Sequence, residues 1–275
     1  MPELPEVETV RRSLQKRIIG MQIKKVKVFN QYTVKYPKVD EFEKGLVGEE
    51  FSEIGRKGKY LLLKFLSGNI LVVHLRMTGQ FLFVDANQEE YKHTQVVFEL
   101  PAGKELRFVD IRGFGTMHYF KPEEFATFPG LNKLGPDPFD REFDLDWWIK
   151  SLKIRKTKIK SLLLDQTFIS GLGNIYVDES LYAAKINPNC PANLLTEKQA
   201  TDLYWAIKDV LQEGIKHRGT TISDYLDAEG RKGEFQNYLK AYGQKGLPCS
   251  RCGTEISRIK LGGRSTYFCP RCQGK

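Results

Sequence analysis

Residues 59–77 read KYLLLKFLSGNILVVHLRM, two apolar runs separated by the turn-forming triplet SGN. Branched and aromatic residues at a period of two, broken by a short Ser-Gly-Asn insert, are the pattern of two antiparallel strands joined by a hairpin. Downstream, TQVVFELPAGKELRFVD (residues 94–110) repeats it with PAGK as the turn, and upstream Ile23, Val26 and Val28 keep the same period. Ahead of the strands, Val7, Val10, Leu14 and Ile18 recur at helical spacing, with Pro5 at the expected first helical position and Gly20 available to end the helix. The first part of the chain is therefore expected to be an antiparallel β-sandwich with a leading helix.

PGLNKLGPDPFDREFD, residues 129–144, interrupts this pattern with Pro, Gly and Asp and marks a domain boundary. Beyond it KIKSLLLDQ, NIYVDESLYAAK and LTEKQATDLYWAIKDVLQEGI read as helices. Thr196 and Gln199 have capping-box spacing, and Pro188 follows the second helix. The fold class is α+β, in several domains. No stretch approaches the roughly 20 apolar residues of a membrane span, and the start lacks the charged-then-apolar order of an export signal. A cytoplasmic protein with no membrane partner is expected.

The formal net charge of +9 is unevenly placed. Residues 1–148 carry 22 basic and 22 acidic side chains, residues 149–275 carry 21 and 12, so the whole excess lies in the second half. Such a half suits a polyanion, most simply nucleic acid, although a solubilising charge bias produces the same count. Within it, KSLKIRKTKIK (150–160) has no acidic residue and is followed by SGLGNIYVDES, where glycines and Asn174 open a helix. Free N–H groups at such a start, beside lysines, make an anion site.

Four of the five cysteines lie in CSRC and CPRC, as Cys249, Cys252, Cys269 and Cys272. Two C-x-x-C turns at this separation present four thiolates to one tetrahedral zinc. With no open position for water, that zinc is structural; a disulfide pair is the rival reading, disfavoured in a reducing compartment. Between the pairs, RIKLGGRSTYF alternates like a hairpin with GGR at its tip, a short arm carrying basic residues or else a solvated loop.

MPELPEVETV begins the chain. A small second residue favours removal of the initiator methionine, which leaves Pro2 as a secondary amine titrating near pH ~8. Such an amine can attack a sugar aldehyde carbon and form an iminium, with Glu3 and Glu6 within reach to move protons. An N-terminal helix cap explains the same residues without chemistry.

Taken together, PELPEVET, RKGKYLLL, HLRMTG, DIRGFG, LLLDQ with GLGNIYVDESL, and the C-x-x-C pairs around GGRSTYFC resemble the bacterial formamidopyrimidine-DNA glycosylases. The resemblance runs from residue 2 to the last cysteine in one motif order. It implies a β-sandwich catalytic domain (1–130), a linker (131–147), a helix-two-turn-helix domain with a lesion-recognition loop (148–236) and a zinc finger (237–275). It also implies base-excision repair of damaged duplex DNA by a monomer with one structural zinc and no organic cofactor. Oxidised purines are removed through a Schiff base on Pro2, and the strand is then cut by β- and δ-elimination.

By the same resemblance Pro2 is the nucleophile, Glu3 the acid and Glu6 its support, while Lys59 serves β-elimination and Arg264 δ-elimination. His93, Arg112, Asn174, Arg155 and Lys156 are DNA contacts. Met77, Arg112 and Phe114 fill the void left by the extruded nucleotide, an apolar side chain and a ring replacing lost stacking. Thr220, Thr221 and Tyr225 fall in the loop that closes on the damaged base. Thr78, after the wedge methionine, stands where relatives differ and leaves lesion preference open. Two other readings remain: an endonuclease VIII-like enzyme for oxidised pyrimidines, and a zinc-ribbon DNA-binding protein without catalysis.

Overall fold

In the computed structural model, which describes residues 1–89, 92–221, 225–228 and 230–274, the chain starts directly in a helix. Helix α1 spans Leu4–Ile18, with Glu3 as N-cap and Pro5 one position later than expected. Its stripe Val7, Val10, Leu14 and Ile18 is fully buried. Among the described residues nine strands follow: β1 (Lys25–Val28), β2 (Val34–Tyr36), β3 (Phe51–Lys57), β4 (Tyr60–Phe65), β5 (Ile70–His74), β6 (Gly79–Asp85), β7 (Thr94–Leu100), β8 (Lys104–Asp110) and β9 (Thr116–Phe120). Helix α2 (Val39–Leu46) separates β2 from β3, a short helix the strand pattern did not reveal.

The strands form two sheets, ordered β1-β7-β8-β6 and β2-β9-β5-β4-β3. The SGN and PAGK turns close the hairpins β4–β5 and β7–β8 as expected. One pairing departs from the antiparallel expectation: β2 runs parallel to β9. The two are separated by almost the whole sandwich in sequence, and only so long a crossover lets neighbours run parallel.

Between the sheets, Leu61, Leu63, Phe65, Leu71 and Val73 pack with the α1 stripe and with Phe81, Phe98 and Phe108. The other face of β5 is covered too, which explains why residues 70–73 are apolar without alternation. Val72 lies between Leu62 and His118 in register, and an aromatic cluster of Tyr60, His74, His118, Phe120 and Phe128 closes over that face.

The chain divides into two units. The first joins Met1–Asn132 with His217–Glu234, a segment that makes its contacts with the sandwich. The reason is burial: Ala228 enters the sandwich core, its N–H donating to Ser13 Oγ and its carbonyl accepting from Phe83. Short helices α3 (Pro122–Phe125) and α4 (Pro129–Asn132) end the first stretch of this unit.

The second unit contains α5 (Leu145–Lys153), α6 (Ile159–Leu163), α7 (Asn174–Ala183), α8 (Glu197–Lys216) and the hairpin β10 (Ser257–Leu261)–β11 (Arg264–Phe268). The helical and finger parts are grouped by their contacts in this one unit. Thr196 and Gln199 cap α8 reciprocally, at 2.9 and 3.2 Å. In α7, residues 176–182 are all buried, so this helix shows no polar face. Trp148 on α5 donates from Nε1 to Ala200 O on α8 at 2.9 Å, tying two helices through a ring that sequence periodicity did not mark. Among the described residues no helix is long and apolar enough to cross a membrane.

Glu8 on α1 anchors the sandwich edge. Its carboxylate accepts from Arg11 (Nε and Nη2, both 2.9 Å), Arg12 Nε (2.7 Å) and Arg56 Nε on β3 (3.2 Å). Burial alone would raise its pKa, but the three guanidinium groups outweigh it and hold the carboxyl at about 2. A depressed pKa stabilises the fold above the ordinary carboxylate range, and that contribution is lost as pH falls from about 4.5 to 2. Glu8→Gln is therefore expected to cost about 1–3 kcal/mol at pH 7. Urea titrations at pH 7 and below pH 4 should show the gap between variant and wild type shrinking with acidity; an equal gap at both pH values would exclude the ionic role.

Candidate functional site

The first helix creates the site by how it begins. A helix start leaves N–H groups without partners, and here the Glu3 N–H donates to Glu6 Oε2 at 2.8 Å. The other oxygen, Glu6 Oε1, accepts the N–H of Thr220 at 2.6 Å. Both carboxylates are buried, Glu3 at 4% and Glu6 at 2% exposure. Tyr225 Oη donates to Glu6 O at 3.2 Å, and burial, with the Glu6 charge next, pushes its phenol well above the ordinary range. Gly219 makes the close approach possible: its φ is +80°, and a Cβ there would stand 2.6 Å from Glu6 Oε1. Thr221 Oγ1 donates to Tyr225 O at 2.9 Å and accepts from Gly233 N at 2.8 Å. Thr220 and Tyr225 are thus tied to α1, with Thr221 bonded to Tyr225, while residues 222–224 and 229 of the expected lesion loop lie outside the described residues.

Pro2 is buried and precedes this carboxylate pair, with Met1 exposed. Met1 borders a concavity of about 450 Å³ together with Tyr32, Lys35, Arg76, Met77 and Phe114. Three motifs far apart in sequence, the chain start, LRMTG and DIRGFG, therefore meet at one surface. Met77 and Phe114 are 41% and 59% exposed at loop tips, although apolar. The Arg112 guanidinium sits 5.7 Å from the Phe114 ring centre. His93 is tied to the same loop through its backbone, its carbonyl accepting the Asp110 N–H at 3.0 Å. Its side chain lines a separate cavity of about 470 Å³ with Lys27, Lys92 and Arg107.

Lys59 occupies the β3–β4 turn and is buried, with Arg56 Nη1 donating to the neighbouring Gly58 O at 3.0 Å. His74 was not singled out by the sequence, yet it stands where β5 runs into LRMTG. Its Nδ1 accepts the Arg76 N–H at 2.9 Å, which leaves the imidazole proton on Nε2. Burial first, then the charges of Arg76 and Lys59, pull its pKa down to about 3, so it is a neutral donor at physiological pH. The available signal was a histidine ending a strand that is otherwise wholly apolar.

In the second unit, Asn174 is the first residue of α7, after the N-cap Gly173. Its Nδ2 donates to Ser265 O at 2.9 Å. The same carbonyl accepts Lys160 Nζ at 3.0 Å, and Lys160 pairs with Asp178 at 2.6 Å with both side chains almost wholly buried. Asp178 in turn accepts the Tyr267 N–H at 3.0 Å. The strand carrying Arg264 is thereby bolted to the helix that carries Asn174. Arg264 itself is exposed, as are Arg155 and Lys156 in the loop after α5. Neither the Lys160–Asp178 pair nor its role in holding the hairpin was visible in the sequence.

Three family models match in order: the formamidopyrimidine-DNA glycosylase N-terminal domain over residues 1–117, the H2TH domain of that glycosylase over 134–225, and a zinc finger found in FPG and IleRS over 246–274. A formamidopyrimidine-DNA glycosylase of Desulforamulus reducens is 50% identical over 274 residues, 99% of each chain. The chain belongs to the formamidopyrimidine-DNA glycosylase family. Among solved structures, a Lactococcus lactis FPG mutant in complex with a Fapy-dG containing DNA is similar at TM-score 0.93 and 39% identity, each chain covered completely. A wild-type Lactococcus lactis FPG in complex with DNA containing an oxidized pyrimidine has TM-score 0.92 at the same identity and coverage.

The family finger implies one zinc, and the cysteines fit it. Sγ atoms of Cys249, Cys252, Cys269 and Cys272 all lie within 4.8 Å of one another. A tetrahedron with Zn–S bonds of about 2.3 Å has S···S edges of about 3.8 Å; Cys249···Cys272 is 3.9 Å and Cys252···Cys269 is 3.5 Å. Tyr182 on α7 reaches Cys249 Sγ with its hydroxyl at 3.2 Å, and Arg251 stacks 3.9 Å from the centre of its ring. Such an outer contact orients a ligand thiolate. Released with a thiol reagent and read by a chromogenic chelator, the protein is expected to yield one zinc per chain. Cys249→Ser should lower that yield and raise amide exchange across residues 246–274; full protection without metal would exclude the structural zinc.

Proposed function

We propose that this chain, a DNA glycosylase by family, removes oxidised purines from duplex DNA and then cuts the strand, using the N-terminal proline as nucleophile. The convergence of Met1, Met77 and Phe114 on one concavity, with the Glu3–Glu6 pair behind the chain start, carries the reading. The Fapy-dG containing DNA bound by the similar Lactococcus lactis protein supports the purine class. Cytoplasmic action on chromosomal DNA, as a monomer, goes with it.

With Met1 removed, the Pro2 nitrogen is a secondary amine with an appreciable neutral fraction at pH 7. Its lone pair attacks C1′ of the damaged nucleotide as the C1′–base bond breaks, the base leaving with the amine's proton, and Glu3 then delivers a proton to O4′ as the C1′–O4′ bond breaks to leave the iminium. The resulting iminium draws in the electrons freed when the C2′ proton is taken. The C3′–O bond then breaks with the phosphate leaving, and a second elimination breaks the C5′–O bond. Lys59 assists the first elimination and Arg264 the second.

Glu6 supports the site by fixing the Glu3 backbone and the 217–234 segment at once. His93, Arg112, Asn174, Arg155 and Lys156 take phosphates or bases. Met77, Arg112 and Phe114 enter the duplex, the two apolar tips recovering stacking and the guanidinium bonding the orphaned base. In the lesion segment the hydroxyls of Thr221 and Tyr225 are already committed to the protein. Thr220, Thr221 and Tyr225 belong to the segment that closes on the damaged base. The four finger cysteines would hold zinc, which supplies a cross-link for the Arg264 hairpin and no open coordination position.

A second reading has its own support, since the Lactococcus lactis relative also binds DNA containing an oxidized pyrimidine. Borohydride trapping on an 8-oxoguanine duplex and on an oxidised-pyrimidine duplex separates the two. An adduct mapped to Pro2, chiefly on the purine lesion, is expected; trapping chiefly on the pyrimidine would move the chain to the endonuclease VIII-like class. The intact mass should fall short of the full sequence by one methionine, and retention of Met1 would leave only a DNA-binding protein. Pro2→Gly should lower strand cleavage roughly a hundredfold, about 2.7 kcal/mol, while lesion binding persists. Affinity should drop steeply between low and physiological salt, as counterion release by several phosphate contacts demands; a flat salt response would exclude phosphate-dominated binding.

A further inference from the structure

Behind the exposed tips of Met77 and Phe114 lies one buried carboxylate. Asp110, 1% exposed, ends β8 and opens the DIRGFG loop. Its Oδ1 accepts the Thr78 hydroxyl at 2.5 Å and the Arg112 N–H at 3.2 Å, and its Oδ2 accepts the Gly115 N–H at 2.6 Å. The Thr78 hydroxyl also accepts the Arg112 N–H, at 3.0 Å. Thr78 directly follows Met77, and Arg112 lies two residues before Phe114, so one hydroxyl and one carboxylate join the loops that carry all three tips.

The join is braced from behind. Gln95 Nε2 donates to the carbonyls of Asp110 (2.8 Å) and His93 (2.9 Å), and Gln95 Oε1 accepts from Asn30 Nδ2 at 2.7 Å. Gly115 seals the inner side: a Cβ there would stand 2.5 Å from the Phe108 ring and 3.0 Å from Asp110 Oδ2.

We propose that Thr78 and Asp110 are positioning residues that lock the Met77 loop and the Arg112–Phe114 loop into a single rigid wedge. The proposal rests on the reading that these side chains enter the duplex. Unstacking a base costs a few kcal/mol, and a loop tip supplies that work only if its base does not give way. Two independently hinged tips would each fold back; joined at a buried carboxylate, which must keep its donors to remain buried, they advance as one. The Thr78 hydroxyl is the part of this join that crosses between the loops. Threonine at this position therefore serves the mechanics of extrusion, apart from any contact with the lesion.

Thr78→Val keeps the shape and removes both hydrogen bonds, whereas Thr78→Ser keeps the hydroxyl. Each would be assayed on a duplex carrying 8-oxoguanine opposite cytosine and on the same duplex with that base already absent, where there is no base to extrude. A 2-aminopurine beside the lesion reports unstacking. Thr78→Val is expected to slow base excision and the fluorescence rise roughly ten- to a hundredfold, to leave cleavage of the abasic duplex unchanged, and to be rescued by Thr78→Ser. Equal losses on both duplexes would mark a general structural role and overturn the proposal. Normal excision by Thr78→Val beside a slowed Met77→Ala would overturn it while sparing the wedge; a normal Met77→Ala would remove the wedge reading itself.

Discussion

A single carboxylate, that of Glu6, holds two distant backbone N–H groups, those of Glu3 and Thr220. The start of the chain and the segment that meets it depend on this. A buried carboxylate needs donors, and a helix start has N–H groups to give; placing the glutamate at the third helical position satisfies both locally. Its second oxygen then recruits a segment more than two hundred residues away. The chain start and the 217–234 segment become parts of one surface because they share an acceptor, with Gly219 leaving room for the approach.

The same device recurs. Asp110 collects the Thr78 hydroxyl and the N–H groups of Arg112 and Gly115. In the second unit, Glu179 accepts the N–H groups of Lys240, Ala241 and Tyr242, and Asp178 that of Tyr267. Except for Tyr267, which lies on β11, an irregular loop is held in each case by a side chain on a regular element. Loops carry most of the groups that would touch nucleic acid, yet their own backbones cannot pair as strands or helices do. Buried acids satisfy those backbones and leave the basic and apolar tips facing outward. The buried acidic residues of both units thus serve the protein's own amides, besides the ion pairs that Glu8 and Asp178 make.

Much of the architecture was legible because it follows from periodicity. The hairpin at residues 59–77, the α1 stripe and the capped α8 all bury the side chains that the sequence spacing assigns to a core. Helix α2, the parallel β2–β9 pair and the contacts of residues 217–234 with the sandwich were not legible. Each depends on a partner distant in sequence, and local pattern carries no information about such partners. The continuous apolar run of β5 illustrates the limit, since its second covered face is made by Tyr60, His118 and Phe128 from other elements.

For the site, the sequence by itself determined the chemistry on offer. A proline behind the initiator methionine, four cysteines in two C-x-x-C turns, and the basic and apolar tips of LRMTG, DIRGFG and GGRST are fixed by residue type and spacing. Only the tertiary structure decided which of these meet. It brought Met1, Met77 and Phe114 to one concavity, set the four sulfurs at zinc-binding distances, and made His74 a neutral donor beside Lys59. The physical reason is that chemistry resides in single side chains, whereas proximity, burial and the resulting pKa values arise from long-range contacts that no local stretch of sequence contains.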